Sequence, residues 1–246
     1  MCKLKSAIIL KDRIFMPDYD SHSKMLEELG ITDDYLGASK KFVRAELSPT
    51  DGDVFSNVDT WVLNVDQDIT PEWFDADEQK PRMIEAVKAW AKDHIHVGVE
   101  GLQISAGENH YIKDCKNVEI YGSATVKYIC GSATVKNIYD SATVKYICDS
   151  ATVKNIYDSA TVNYICGSAT VNYIYGSATV KNIYGSATVK NSGDCSVIFS
   201  SPYVNWENSS TLILTENATF KDNRTRTIYQ SGYWKLVEVK NGKACE

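Results

Sequence analysis

The chain has 246 residues, 43% hydrophobic and 24% charged, with a net charge of −6, enough for a sizeable core and two units of structure. Charge is uneven: residues 1–120 carry a net −9, residues 121–190 a net +3, and residues 191–246 are balanced. An acidic head on a mildly basic array argues against a dedicated nucleic-acid binder, which presents a basic face over its whole domain. The apolar start, Ala7-Ile8-Ile9-Leu10, is cut off by Lys11-Asp12-Arg13. It is too short for a signal-peptide core or a membrane span, so the expectation is a cytoplasmic protein without membrane contact.

In chain order, residues 4–15 read as a strand and His22 to Gly30 as a short helix ended by glycine. Phe42 to Leu47 reads as a strand, Pro49-Thr50-Asp51-Gly52 as a turn, and Thr60 to Val65 as another strand. Thr70 can cap a helical turn with Pro71 at its first position. Pro81 to His94 sets Met83, Val87, Trp90 and Ala91 on one helical face. Residues 1–98 thus read as an acidic α+β head or cap. Residues 99–122 read as irregular first coils, with Val118-Glu119-Ile120 resembling a repeat one residue short.

From residue 123 to 190 the tetrapeptide Ser-Ala-Thr-Val returns every nine residues, from Ser123 to Ser186, eight times. A fixed short period marks a solenoid. Nine residues are too few for a helical hairpin repeat, and Ala-Thr-Val-Lys alternates as a strand does. Gly or Asp before each Ser is turn chemistry. Each unit is one strand and one corner. Because nine is odd, the corner is expected to break the alternation, with Ala124, Val126 and Ile129 inward and Ser123, Thr125 and Lys127 outward. The predicted core ladder is Val126, Val135, Val144, Val153, Val162, Val171 and Val180.

The residues around each corner alternate with period 18, so a coil holds two units, and eight units make about four coils. At about 4.8 Å per strand that part is about 20 Å long. Cys130, Cys148 and Cys166 then stack on one edge, and free thiols in a reducing cytosol are expected rather than disulfides. The Gly-Gly-x-Gly-x-Asp turn of calcium-binding nonapeptide solenoids is missing, and Asp140, Asp149 and Asp158 stand singly.

Residues 191–246 drop the period. Ser196 to Phe199, Thr211 to Leu214, Thr225 to Tyr229 and Trp234 to Val239 read as strands that close the solenoid. Asn217 to Phe220 looks like a decayed repeat, and Asp222-Asn223 and Asn241-Gly242 like turns. The fold class is mainly β: a β-solenoid with two nonapeptide strands per 18-residue coil and a small N-terminal α+β cap domain.

Three stretches carry a resemblance: Lys5 to Asp12; Trp61 to Phe74, with Val65-Asp66-Gln67-Asp68 and Pro71-Glu72-Trp73; and the array with its closing Trp234-Lys235-Leu236-Val237. The chain resembles a loosely defined group of bacterial and phage proteins, many from gut communities. It is similar over nearly its whole length. The resemblance implies a cytosolic or phage-borne solenoid protein and no particular chemistry.

Candidate site residues are few. Asp66 and Asp68, with Glu72 and Asp75 beside Trp73, could hold a cation or act as an acid–base pair; the plainer reading has Asp68 and Thr70 cap the following turn. His94 and His96 could ligate a metal with Asp93 or Glu100, but no third ligand is spaced to join them, and no Cys-x-x-Cys pair supports zinc. Regular Thr rows suggest ice binding, against which Lys127, Lys136, Lys145 and Lys154, read as lining the same face, would spoil a flat surface. Tyr139, Tyr157 and Tyr175 recur on one edge and suit a protein contact or a homodimer. The expectation is a non-enzymatic binding or assembly protein with a protein partner, no catalytic residues, no metal and no cofactor. The alternative is a phage or mobile-element inhibitor of a host defence protein, acting by surface blocking or mimicry. A head-domain enzyme is the remaining class.

Overall fold

A computed structural model describes residues 5–32, 41–183, 185–192, 196–199, 211–215, 219–222, 227–230, 237–240 and 243–245; from residue 190 onward it describes backbone alone. The chain divides into two units, Met1–Ile95 and His96–Glu246, three residues ahead of the boundary read at 98.

In the first unit, β1 (Lys5–Leu10) turns at Arg13 and pairs antiparallel with β2 (Ile14–Phe15), so the strand read across 4–15 is a hairpin. Charged Lys11-Asp12-Arg13 is exposed in the turn between the two strands. The sheet order is β2-β1-β3-β4, with β3 at Phe42–Ser48 and β4 at Val62–Val65. Its two faces follow the strand alternation. Ile8 and Phe42 pack with Met25 and Leu26 of α1 (His22–Glu28), while Ile9, Val43 and Ala45 pack with Trp73 and Phe74. Helix α2 (Ala76–His94) begins five residues before Pro81. Its cap is Asp75, whose carboxylate accepts the Asp77 and Glu78 N–H groups at 2.8 and 3.2 Å; residues 71–74 form only a turn. Met83, Val87 and Trp90 are buried as the helical period requires. Lys5 is fully buried, its Nζ 2.6 Å from the Pro17 carbonyl, 3.2 Å from Asp20 and 5.0 Å from the Trp90 ring centre.

The second unit is a β-solenoid of about five turns, two strands per coil. It starts with β5 (Ile95–Val97), β6 (Gln103–Ile104), β7 (His110–Lys113) and β8 (Val118–Ile120). The nonapeptides then supply β9 (Thr125–Cys130), β10 (Thr134–Ile138), β11 (Thr143–Ile147), β12 (Thr152–Ile156), β13 (Thr161–Ile165), β14 (Thr170–Ile174), β15 (Thr179–Ile183) and β16 (Thr188–Ser192). Odd and even strands form two separate parallel sheets. The valines therefore make two ladders in register, Val126–Val144–Val162–Val180 and Val118–Val135–Val153–Val171–Val189. The Ala and Val of all eight repeats and the Ile of the first seven are buried in one continuous core, as the sequence predicts.

The alternation breaks inside the strand, not at the corner. Lys127 and Tyr128 both face outward between inward Val126 and Ile129, and the ladder passes from Val126↔Val144 directly to Tyr128↔Tyr146. The corner is held by its own bonds: Ala142 N–H donates to the Tyr139 carbonyl at 3.2 Å, and Ser141 N–H to Gly122 one coil back at 3.1 Å. The ninth residue is left-handed throughout, with φ from 55° to 68° at Gly122, Gly131, Asp140, Asp149, Asp158, Gly167, Gly176 and Gly185. Only Gly, and Asp or Asn at small cost, take that conformation readily. The aspartates add a bond. The Asp140 and Asp149 carboxylates accept the Gly122 and Gly131 N–H groups of the previous coil at 3.0 and 2.9 Å.

The first coils are irregular as expected: Val135↔Val118 is followed by Asn137↔Glu119, so β8 lacks one residue. At the other end β17 (Ser196–Phe199), β18 (Thr211–Thr215) and β19 (Thr219–Asp222) continue the parallel stack, with Phe220 in register with Val197. Then β20 (Thr227–Gln230), β21 (Val237–Lys240) and β22 (Lys243–Cys245) add antiparallel strands that end it. Residues 217–218, 223–226, 234–236 and 241–242, read as parts of a repeat, strands and turns, lie outside the described residues.

Two outcomes follow. Val153→Asp places a carboxylate in the dry core and should lower Tm by at least about 8 °C, whereas Lys154→Asp on the exposed side should shift it by less than about 2 °C, as scanning calorimetry will measure. The Ser132 N–H and hydroxyl, at 2.7 and 2.9 Å, hold the Asp114 carboxyl below the usual aspartate range. Such a group stabilises the fold above its unfolded value, and the contribution disappears as pH falls through the depressed folded value. NMR titration should show Asp114 moving back up in Ser132→Ala.

Candidate functional site

Asp66 leaves the end of β4 with its N–H on the Arg44 carbonyl at 2.9 Å, which directs the side chain toward α1. Its Oδ2 lies 3.4 Å from His22 Nδ1. The other ring nitrogen, Nε2, is 3.2 Å from the Ala45 carbonyl. Glu46, on β3, completes a group in which one ligand atom from each of His22, Glu46 and Asp66 lies within 4.8 Å of the others. His22 and Glu46 are each 5% exposed, and Asp66 opens to solvent. A carbonyl on Nε2 leaves Nδ1 facing the carboxylates as an acceptor when the ring is neutral. The trio offers one imidazole nitrogen and two carboxylate oxygens that could accept a borderline divalent cation.

Asp68 is exposed and stands outside this cluster. Between the two aspartates, Gln67 secures the loop: it accepts the Arg44 N–H at 2.8 Å and donates to the Ile69 carbonyl at 2.7 Å. Trp73 lies half-buried against Ile9, Val43 and Ala45, edge-on to Phe74 at 6.2 Å, so it belongs to the head core more than to a surface. His94 stacks on Trp90 at 4.6 Å, with Nε2 3.3 Å from Asp18, while His96 stacks on His110 at 5.7 Å; the two imidazoles serve separate clusters.

On the solenoid, Tyr121, Tyr139, Tyr157 and Tyr175 stack along one corner at 5.2, 5.0 and 5.1 Å. Their ring faces cover one another, so the row offers hydroxyls and rims, with Tyr175 37% exposed. A second row, Tyr111, Tyr128, Tyr146 and Tyr164, runs over the odd-strand sheet at 6.0, 4.9 and 4.8 Å. Burial, then the neighbouring phenols, pushes the Tyr128, Tyr146 and Tyr157 hydroxyls up, keeping them neutral hydrogen-bond donors. On the even-strand sheet Asn155 donates to Asn137 at 2.9 Å and Asn137 to Glu119 at 3.4 Å. The lysines do not share a face. Lys127 and Lys145 lie on β9 and β11 in one sheet, Lys136 and Lys154 on β10 and β12 in the other, because consecutive units are half a coil apart.

The thiols of Cys130, Cys148 and Cys166 form a third row. The Cys148 and Cys166 N–H groups donate to Ile129 and Ile147 at 2.9 and 2.8 Å, which holds the corner in register. The Cys130 and Cys148 thiols donate to the Ile112 and Ile129 carbonyls at 3.6 and 3.7 Å, and the closeness of the two thiols holds Cys130 below the usual cysteine range while Cys148 is pushed up to about 12. Cys115, Cys130, Cys148 and Cys166 are free thiols.

No spacing rule finds His22 and Glu46, which precede Asp66 by 44 and 20 residues and meet it only through the sheet. The second tyrosine row was present as the 18-residue recurrence of Tyr128, Tyr146 and Tyr164. No protein-family model, curated protein or solved structure matches the chain. Among the described residues no helix is long and apolar enough to cross a membrane.

His22→Ala empties a buried site and leaves the Ala45 carbonyl without its imidazole partner, and should cost about 2–4 kcal/mol, against less than about 1 kcal/mol for exposed Asp66→Asn; urea denaturation of both variants measures the difference.

Proposed function

We propose that this is a non-enzymatic binding or assembly protein that uses the solenoid as its platform. One observation carries the reading: outward side chains repeat in register at the coil pitch, so each sheet presents the same group again and again. Catalysis brings unlike groups together at one point. A periodic row instead multiplies one weak contact along a surface. The tyrosine rims suit a protein partner, since a phenol combines apolar area with a polar edge at low entropy cost. Lys127 and Lys145, interleaved with the Tyr128 row, add positive charge to that sheet and favour a partner with acidic groups.

The test is affinity capture from host lysate with the full chain, beside Tyr128→Ser/Tyr146→Ser/Tyr164→Ser and Tyr139→Ser/Tyr157→Ser/Tyr175→Ser variants. One stoichiometric protein whose affinity falls at least about tenfold with either variant is the expected result. Unchanged capture by both variants would remove the solenoid from the interaction. A captured defence nuclease or effector would identify the partner class as that of an inhibitor acting by surface blocking. Light scattering of the same variants reads homodimerisation: a dimer formed through the corner row dissociates in the Tyr139/Tyr157/Tyr175 variant.

A further inference from the structure

The sulfur row has a chemistry of its own. Cys130, Cys148 and Cys166 occupy the same position in three successive coils, each directly after the buried Ile of its repeat. In-register parallel pairing sets Cys148 between Cys130 and Cys166, and the Cys130 and Cys148 thiols donate to the Ile112 and Ile129 carbonyls of the preceding coil at 3.6 and 3.7 Å, so the three sulfurs line one edge. The row opens to solvent at Cys148 and Cys166, which are partly exposed, while Cys130 is buried. The backbone beneath is fixed by the corner bonds from Cys148 to Ile129 and from Cys166 to Ile147. The separation of the thiols is therefore set by the stacking of strands, about 4.8 Å.

That pitch selects a coordination geometry. A metal–thiolate bond is about 2.3 Å, so two in line span about 4.6 Å, close to one strand spacing. A straight row offers any one ion two sulfurs at opposite sides. It cannot close a tetrahedron of four ligands, which structural zinc requires. Soft thiolates select soft ions such as copper(I), which accepts a two-coordinate linear site. We infer that the Cys130–Cys148–Cys166 row is a binding site for copper(I), one ion between each pair of adjacent sulfurs, with Cys148 bridging. Loading two ions converts three thiols to thiolates and releases three protons to solvent. No electron is transferred, and the metal stays monovalent.

The site is independent of the binding platform proposed above and is tested separately. The full chain, kept reduced with a phosphine under nitrogen, is titrated with copper(I) supplied as its acetonitrile complex against bicinchoninate. Bound copper is counted, and the near-ultraviolet thiolate-to-copper absorption is followed. Relative to the unmodified chain, Cys148→Ser should bind two ions fewer, Cys130→Ser and Cys166→Ser one fewer each, and Cys115→Ser the same number, with the absorption falling in proportion. Zinc(II) in place of copper(I) should leave all of these chains alike. Serine is nearly isosteric, and circular dichroism checks the fold; should Cys148→Ser fail to fold, the Cys130→Ser/Cys166→Ser pair, which leaves one thiol on the row, carries the same two-ion loss. Full copper binding by Cys148→Ser or by that pair, or an equal loss from Cys115→Ser, overturns the assignment.

Discussion

A left-handed residue at every ninth position is the constraint on which the solenoid rests. With φ near +60° at Gly122, Gly131, Asp140 and their successors, each strand can reverse in a short corner and return on the opposite side of the core. L-residues with larger side chains resist that conformation. At Gly131 a Cβ would also run into the Asp114 carboxylate, and at Gly167 it would sit 2.8 Å from the Asp149 backbone nitrogen. Where aspartate stands instead, its carboxylate turns back and takes an N–H of the coil before it. Gly and Asp are thus two solutions to one corner, one minimising crowding and the other adding a charge-assisted bond.

Once the corners are set, everything outside the core becomes a row. Parallel in-register stacking puts each outward side chain over the same residue of the coil 18 positions away. Tyrosines stack face to face, asparagines chain their amides, and thiols recur along one corner. Such rows gain from similarity, as identical short side chains do in cross-β stacks. Identical charges do not gain, and in the Lys127 row the series is relieved by Asn163, in the Lys136 row by Asn172. The surface is therefore a set of one-dimensional arrays of single chemistries, which favours repeated contacts and linear ligation.

The head is organised on a different principle. Its four antiparallel strands bring together residues remote in sequence, and both faces of the sheet are covered. There His22, Glu46 and Asp66 meet, two of them buried, in an arrangement that no period or local motif encodes.

The sequence by itself determined the period, the inward ranks of Ala, Val and Ile, the corner chemistry, the two-unit coil and the shortened repeat at Val118-Glu119-Ile120. All of these are local or periodic, and one repeat's solution must hold for the next. Tertiary structure decided the rest. It moved the break in alternation from the corner to the Lys127–Tyr128 pair, because the corner was already committed to its own hydrogen bonds and both Val126 and Ile129 had to reach the core. It divided the lysines between two faces, because nine residues are half a coil and only 18 return to the same side. It started α2 at Ala76 under the Asp75 cap, where local rules place a start at Pro81, because two flanking N–H groups found a carboxylate there. And it assembled His22, Glu46 and Asp66, since contacts between residues dozens of positions apart are fixed by strand register and packing, which a one-dimensional pattern does not contain.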